Sequence, residues 1–114
     1  QRKVDNFSIR YPTHVDEVAR ICQALCAQRE QQQHQLQIWH FSGAEAFTKY
    51  EMTLEIAKLL NRSTQHLTPD HNPIDLSPRP KNCQLDCSDL AMMGLSSQTS
   101  FSEGLKDIFS RISL

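Results

Sequence analysis

Glycine is scarce in this 114-residue chain, standing only at positions 43, 94 and 104. Loops that cradle phosphate need clustered glycines so that backbone amides can close on the anion, so neither a P-loop nor a dinucleotide fingerprint can be assembled. Charge of one sign is also lacking. A formal net charge of −1 leaves no Lys/Arg surplus to neutralise a phosphate backbone, which argues against nucleic acid as the main partner. No apolar run approaches the roughly 20 residues of a membrane helix. The opening Gln1-Arg2-Lys3-Val4-Asp5 is no secretory leader. There is no internal repeat and no initiator Met, so a portion of a longer polypeptide is expected.

What is present suffices for one domain, 1–114, by length. A chain of this size buries roughly two-thirds of its unfolded surface, and 39% hydrophobic residues can supply a modest core. The four cysteines fall in pairs four apart, Cys22/Cys26 and Cys83/Cys87. Four thiolates suit a zinc site, but the first pair lies inside an apolar helical stripe, where free cysteine behaves as a small hydrophobe. His14, His34, His40, His66 and His71 show no metal-type spacing, and Asp16 and Glu17 are adjacent and diverge on a helix. The residues by themselves give neither an active site nor a metal site.

The chain is organised around 78–90, PRPKNCQLDCSDL. Pro78 and Pro80 hold Ser77 and Arg79 out of helix, so Arg79 sits on a stiff turn, placed to meet an anion or a partner, or to form a salt bridge. Cys83 to Cys87 reads as a short strand and Ser88 as a helix entrance, with Gly94 suited to end that helix in the left-handed region.

Elsewhere, Val4, Phe7 and Ile9 alternate weakly, as in an edge strand. Thr13 is placed to cap a helix whose stripe is Val15, Val18, Cys22, Leu25 and Cys26, widened by Ile21. The glutamine-rich 28–37 reads as a solvated helix end and loop. Ile38-Trp39-His40-Phe41, stopped by Gly43, reads as a strand with both faces covered, and the chain holds few others to pair with it. Thr48 with Glu51 forms a capping box, flanked by the staple pair Phe47 and Met52, opening a helix to about Leu60. His66 to Thr68 reads as a short strand and 70–77 as loop. Ser100 with Glu103 forms a second box before the stripe Phe101, Leu105, Ile108, Phe109 and Ile112.

Four blocks in order, Tyr11-Pro12-Thr13-His14-Val15-Asp16-Glu17-Val18-Ala19, His40-Phe41-Ser42-Gly43, Thr48-Lys49-Tyr50-Glu51-Met52 and Arg79-Pro80-Lys81-Asn82 running into Gln84-Leu85-Asp86-Cys87-Ser88, resemble the C-terminal part of the extended short-chain dehydrogenase branch that contains the dTDP-4-dehydrorhamnose reductases. Within it, TKYEM and QLDCS are most similar to the regulatory beta subunits of methionine adenosyltransferase. The resemblance covers nearly the whole chain and implies an α/β fold, α+β for this piece alone. The chain would be the last strand and helix of an NADP-binding Rossmann fold plus the smaller lobe over its cleft. It implies a non-catalytic regulatory subunit that binds and modulates the methionine adenosyltransferase catalytic subunit, which makes S-adenosylmethionine from methionine and ATP. That role implies a cytoplasmic location, extending to the nucleus. The alternative it carries is the substrate lobe of an NADPH-dependent reductase acting on a dTDP-linked keto-sugar. In either case NADP belongs to the longer parent and no cofactor or metal to this chain alone, and Thr13, His14, Arg79 and Asn82 are its expected cleft residues. The family's Tyr-x-x-x-Lys catalytic pair is absent, since Leu54 lies four residues after Tyr50 and Val15 four after Tyr11. An uncovered apolar strand also leads us to expect self-association.

Overall fold

The computed structural model describes residues 1–29, 37–74 and 77–112. Its elements in chain order are β1 (Arg2–Asp5), α1 (Val15–Arg29), α2 (Lys49–Leu59), β2 (Leu67–Asp70), α3 (Ser88–Met92) and α4 (Phe101–Ser110). The architecture is α/β, as expected. β1 and β2 form a two-stranded parallel sheet with Val4 opposite Pro69. Hydrogen bonds from Arg2 N to His66 O and from Asn6 N to Asp70 O, both 2.8 Å, close its two ends. Pro69 is tolerated because each strand of a two-stranded sheet has one unpaired edge, where a missing N–H breaks no ladder bond. Both weak strand signals, near Val4 and at 66–68, are therefore strands, and each finds its partner in the other.

The core is small. Ile21, Leu90 and Leu95 are buried, with Ala24, Leu25, Trp39, Phe41 and Met93 packed against them. Leu90 and Leu95 are joined by the way α3 ends. Gly94 takes φ +78°, its N–H reaches Ala91 O at 3.0 Å, and Leu95 N–H reaches Leu90 O at 2.9 Å. This is a Schellman motif with its customary apolar pair, and it confirms the reading of Gly94. α2 ends the same way on Asn61 (φ 51°), with Asn61 N to Lys58 O at 3.3 Å and Arg62 N to Ala57 O at 2.8 Å.

The capping box of α2 is complete. Glu51 N donates to Thr48 Oγ1 at 3.2 Å and Thr48 N donates to Glu51 Oε1 at 3.0 Å. Phe47, just before the cap, packs on Phe101 with ring centroids 5.0 Å apart, so the start of α2 meets the start of α4. At α4 only the Ser100 half of the expected box forms, Glu103 N donating to Ser100 Oγ at 3.1 Å. The next amide, Phe101 N–H, donates to Glu45 Oε1 at 2.6 Å, a carboxylate from the segment ahead of α2.

Four expectations are corrected. Thr13 does not cap α1. Its hydroxyl donates to Tyr11 O and accepts from Gly43 N, each at 3.0 Å, while His14 Nδ1 accepts from Asp16 N at 3.1 Å. The inward face of α1 is Glu17–Ile21–Ala24–Leu25, and Val15, Val18, Cys22 and Cys26 face outward. Two apolar arcs exist on this helix, and hydrogen bonds to Glu17 select which one turns in. Ile38–Phe41 is extended but not a strand: the sheet among the described residues is β1–β2 alone, so nothing pairs with it. Alternation survives, with Trp39 and Phe41 on the core and Ile38 86% exposed. Finally, 83–87 is not a strand. Pairing there is a single parallel bridge, Ile9 with Asn82, because the chain turns into α3 before a ladder can extend. Most of the glutamine-rich stretch, 30–36, lies outside the described residues.

Candidate functional site

The Arg79 turn is fastened to the segment after β1. Ile9 N donates to Lys81 O at 2.6 Å and Cys83 N to Ile9 O at 3.2 Å. Arg10 follows Ile9 and reaches the same turn with Nη1, at 3.4 Å from Pro80 O and 3.1 Å from Cys83 Sγ. Asn82 folds back locally, its Oδ1 accepting from Gln84 N at 2.9 Å. Arg79 and Asn82 are both exposed on this turn. The two prolines stiffen it and the Ile9–Arg10 clamp orients it, so its position is fixed although it carries little buried area.

Thr13 and His14 sit at a different corner. Thr13 Oγ1 holds the amide of Gly43, and that glycine is required: a Cβ there would overlap the carbonyl oxygen of Pro12. His14 fits between α1 and α4. Its ring lies on Gly104, where a Cβ would stand 2.9 Å from Cδ2. With Nδ1 accepting from Asp16 N, the ring proton is on Nε2, which donates to Asp107 Oδ2 at 3.2 Å. Arg111 closes the group, with Nη2 at 3.0 Å from Asp16 and 2.9 Å from Asp107. Hydrogen bonding to Asp16, with the charges of Asp107 and Asp16, holds this guanidinium above its ordinary value. His14, Asp16 and Asp107 bring three metal-type ligand atoms within 4.8 Å of one another, but Arg111 already supplies their cation. Cys22 and Cys26 are exposed on α1, whereas Cys83 and Cys87 are half-buried.

Between these places lies an open groove of about 620 Å³, walled by Tyr11, by 41–44, by 84–88 and by Ser96 and Ser97. Its polar groups are mostly hydroxyls, the Asp86 carboxylate and the Cys87 thiol, which lies 3.7 Å from Ser42 Oγ. Hydrogen bonds from the Ser88 hydroxyl and amide hold the Asp86 carboxyl below the usual range. Thr13 braces the groove through Gly43, and Asn82 braces it through Gln84. Thr13 and His14 themselves line a separate cavity of about 80 Å³ with Phe101, Leu105 and Ile108. The structure thus ties three of the four expected residues to neighbouring walls without gathering them into one cavity.

Glu17 is the residue that sequence reasoning missed. It is 5% exposed yet ionised, accepting from Gln98 N at 2.6 Å, Ser97 Oγ at 2.9 Å and Thr99 N at 3.0 Å. Burial pushes its pKa up. The bonds from Gln98, Ser97 and Thr99, with the Arg20 charge, outweigh burial and hold it below the ordinary value. Glu17 therefore pins Ser97 in the groove wall, while Arg20 Nη2 donates to Ser96 O at 3.0 Å. The only signal in the sequence was its helical spacing to Ile21, which adjacent Asp16 obscured.

The family model described as the RmlD substrate binding domain matches residues 1–114. The chain is 40% identical over 105 residues to methionine adenosyltransferase 2 subunit beta of Xenopus tropicalis and to that of Mus musculus. It is 38% identical over 107 residues to that of Danio rerio. Each alignment takes in 91% of this chain, but 31% of the first two relatives and 33% of the third. The chain spans about a third of the length of these relatives. No helix among the described residues is long and apolar enough to cross a membrane.

Proposed function

We propose, from the premise that this chain belongs to the RmlD substrate binding domain family, that it is the C-terminal lobe of a non-catalytic regulatory subunit. That subunit binds and modulates a methionine adenosyltransferase catalytic subunit. The observation that carries the reading is the likeness, over nine-tenths of the chain, to beta subunits of that enzyme. The lobe contributes a surface rather than chemistry. Its groove holds one thiol, one exposed carboxylate and several hydroxyls, and the carboxylate, held below its usual range by Ser88, is a weak base. The residues present do not fit the phosphates of NADP. Gly43 is pressed against Pro12, Gly104 lies under His14, and Gly94 ends α3, so no glycine is available for a phosphate loop. A nucleotide bound by the longer protein would be gripped by residues beyond this chain. Thr13, His14, Arg79 and Asn82 would border the cleft, Arg79 as the charged contact.

The test is co-purification of the longer natural protein carrying this chain with a methionine adenosyltransferase catalytic subunit. A stable complex is expected, with altered S-adenosylmethionine synthesis. Failure to associate when both are folded would overturn the reading. The second reading, a substrate lobe for an NADPH-dependent keto-sugar reductase, draws on the family's description and on the open hydroxyl-lined groove. NADPH oxidation by the longer protein, dependent on a dTDP-4-keto-sugar, would favour it and displace the first.

A further inference from the structure

A second groove, also about 620 Å³, shares no lining residue with the first. Asn6, Phe7 and Ile9 form one side, Thr48, Tyr50 and Glu51 at the start of α2 another, and His71 and Lys81 the rim. A chain of hydrogen bonds runs into it from the helix cap. Glu51 N donates to Thr48 Oγ1 at 3.2 Å, and Thr48 Oγ1 donates to Asn6 Oδ1 at 2.6 Å. With its oxygen taken, Asn6 turns its NH₂ to His71 Nδ1 at 3.4 Å. An amide nitrogen can only donate, so Nδ1 accepts and the ring proton of His71 is held on Nε2. Asn6 is thus a positioning residue, and His71 presents a fixed donor. Lys81 Nζ stands 4.7 Å from the centroid of the Phe7 ring, a cation on an aromatic face that is 39% exposed. The one acid in the lining, Glu51, is turned away onto Thr48 N at 3.0 Å.

A concave site with an oriented imidazole donor, an ammonium and exposed aromatic wall matches an anion carried on a flat apolar body. A phosphate monoester dianion brings three terminal oxygens and a second charge to these donors, where a planar carboxylate brings two oxygens and one charge. We propose that this groove binds a phosphate monoester borne on a ring. The site is independent of the regulatory reading above and stands or falls without it.

The experiment is titration of the full chain with phenyl phosphate, followed by amide and imidazole ¹⁵N shifts, with inorganic phosphate, benzoate and phenol as comparison arms. Saturable shifts at Phe7, His71 and Lys81 are expected for phenyl phosphate, with weaker binding in every other arm. Lys81→Ala and His71→Ala should each weaken it roughly tenfold, the loss of one hydrogen bond to a charged group. Both side chains are exposed, so the melting temperature without ligand should not move. Asn6→Ala should mix the two tautomers in the ¹⁵N spectrum of His71, a change that mere loosening would not produce. Binding unchanged in both His71→Ala and Lys81→Ala, benzoate or phenol binding as tightly as phenyl phosphate, or no saturable shift at all would each overturn the proposal.

Discussion

Glu17 shows how much one side chain can decide. Its carboxyl is depressed below the ordinary 4.5 although burial alone would raise it. A depressed acid contributes stability that is fully present above its ordinary value and lost as pH falls through the folded one. Glu17→Gln should therefore lower stability at neutral pH by about 1.5–3 kcal/mol. The difference should shrink below roughly pH 4.5, where wild type loses the same contribution. Urea midpoints taken from pH 7 to pH 3 check this, and curves that stay parallel would contradict it. Gly43 makes the steric counterpart. Because an added Cβ meets backbone, not a movable side chain, Gly43→Ala should cost on the order of 2–3 kcal/mol and release the Thr13 bond, read as lost hydrogen-exchange protection at the Gly43 position.

At the level of elements, the orientation of α1 is the sharpest claim. Ile21 is 3% exposed, whereas Val15 is 74% and Val18 41% exposed. Ile21→Ala should cost about 2–4 kcal/mol, and Val15→Ser and Val18→Ser should stay within about 0.5 kcal/mol of wild type. The reverse order in urea melts would mean that the helix is rotated. The two Schellman ends give opposite tests. Gly94→Ala places a Cβ at φ +78° with nothing within 4 Å, so its cost is backbone strain alone, about 1 kcal/mol. Asn61→Gly relieves a similar strain at φ 51° and should gain up to about 1 kcal/mol. Thr48→Ala should cost about 1–2 kcal/mol, since the hydroxyl serves both the helix cap and Asn6.

The whole molecule exposes more surface than its size requires. Its accessible area is 8820 Å², against roughly 6,400 Å² for a folded monomer of this mass. The excess goes with a core of three buried apolar residues among those described and an outward-facing stripe on α1. An apolar surface of this kind favours association. The chain by itself should unfold in urea with a slope below that usual for its length, because the slope follows the surface newly exposed. Sedimentation at rising concentration should show association through the uncovered stripe, lowered by Val18→Asp.

Local chemistry was written in the sequence. The box at Thr48 and Glu51, the left-handed Gly94, the proline-stiffened turn around Arg79 and the helices themselves depend on residues within one or two turns of each other, so spacing alone determined them. Partnership was not. Which arc of α1 turns inward, whether Ile38–Phe41 finds a strand to pair with, and that Glu45 takes the Phe101 amide all depend on groups dozens of residues away. The same holds for the candidate site, where the family resemblance pointed to Thr13, His14 and Asn82 but not to their attachment to Gly43 and Asp107, only that to Gln84 lying within local reach. Only the tertiary structure decided these, because a hydrogen bond or a buried face goes to whichever group the folded chain brings within reach.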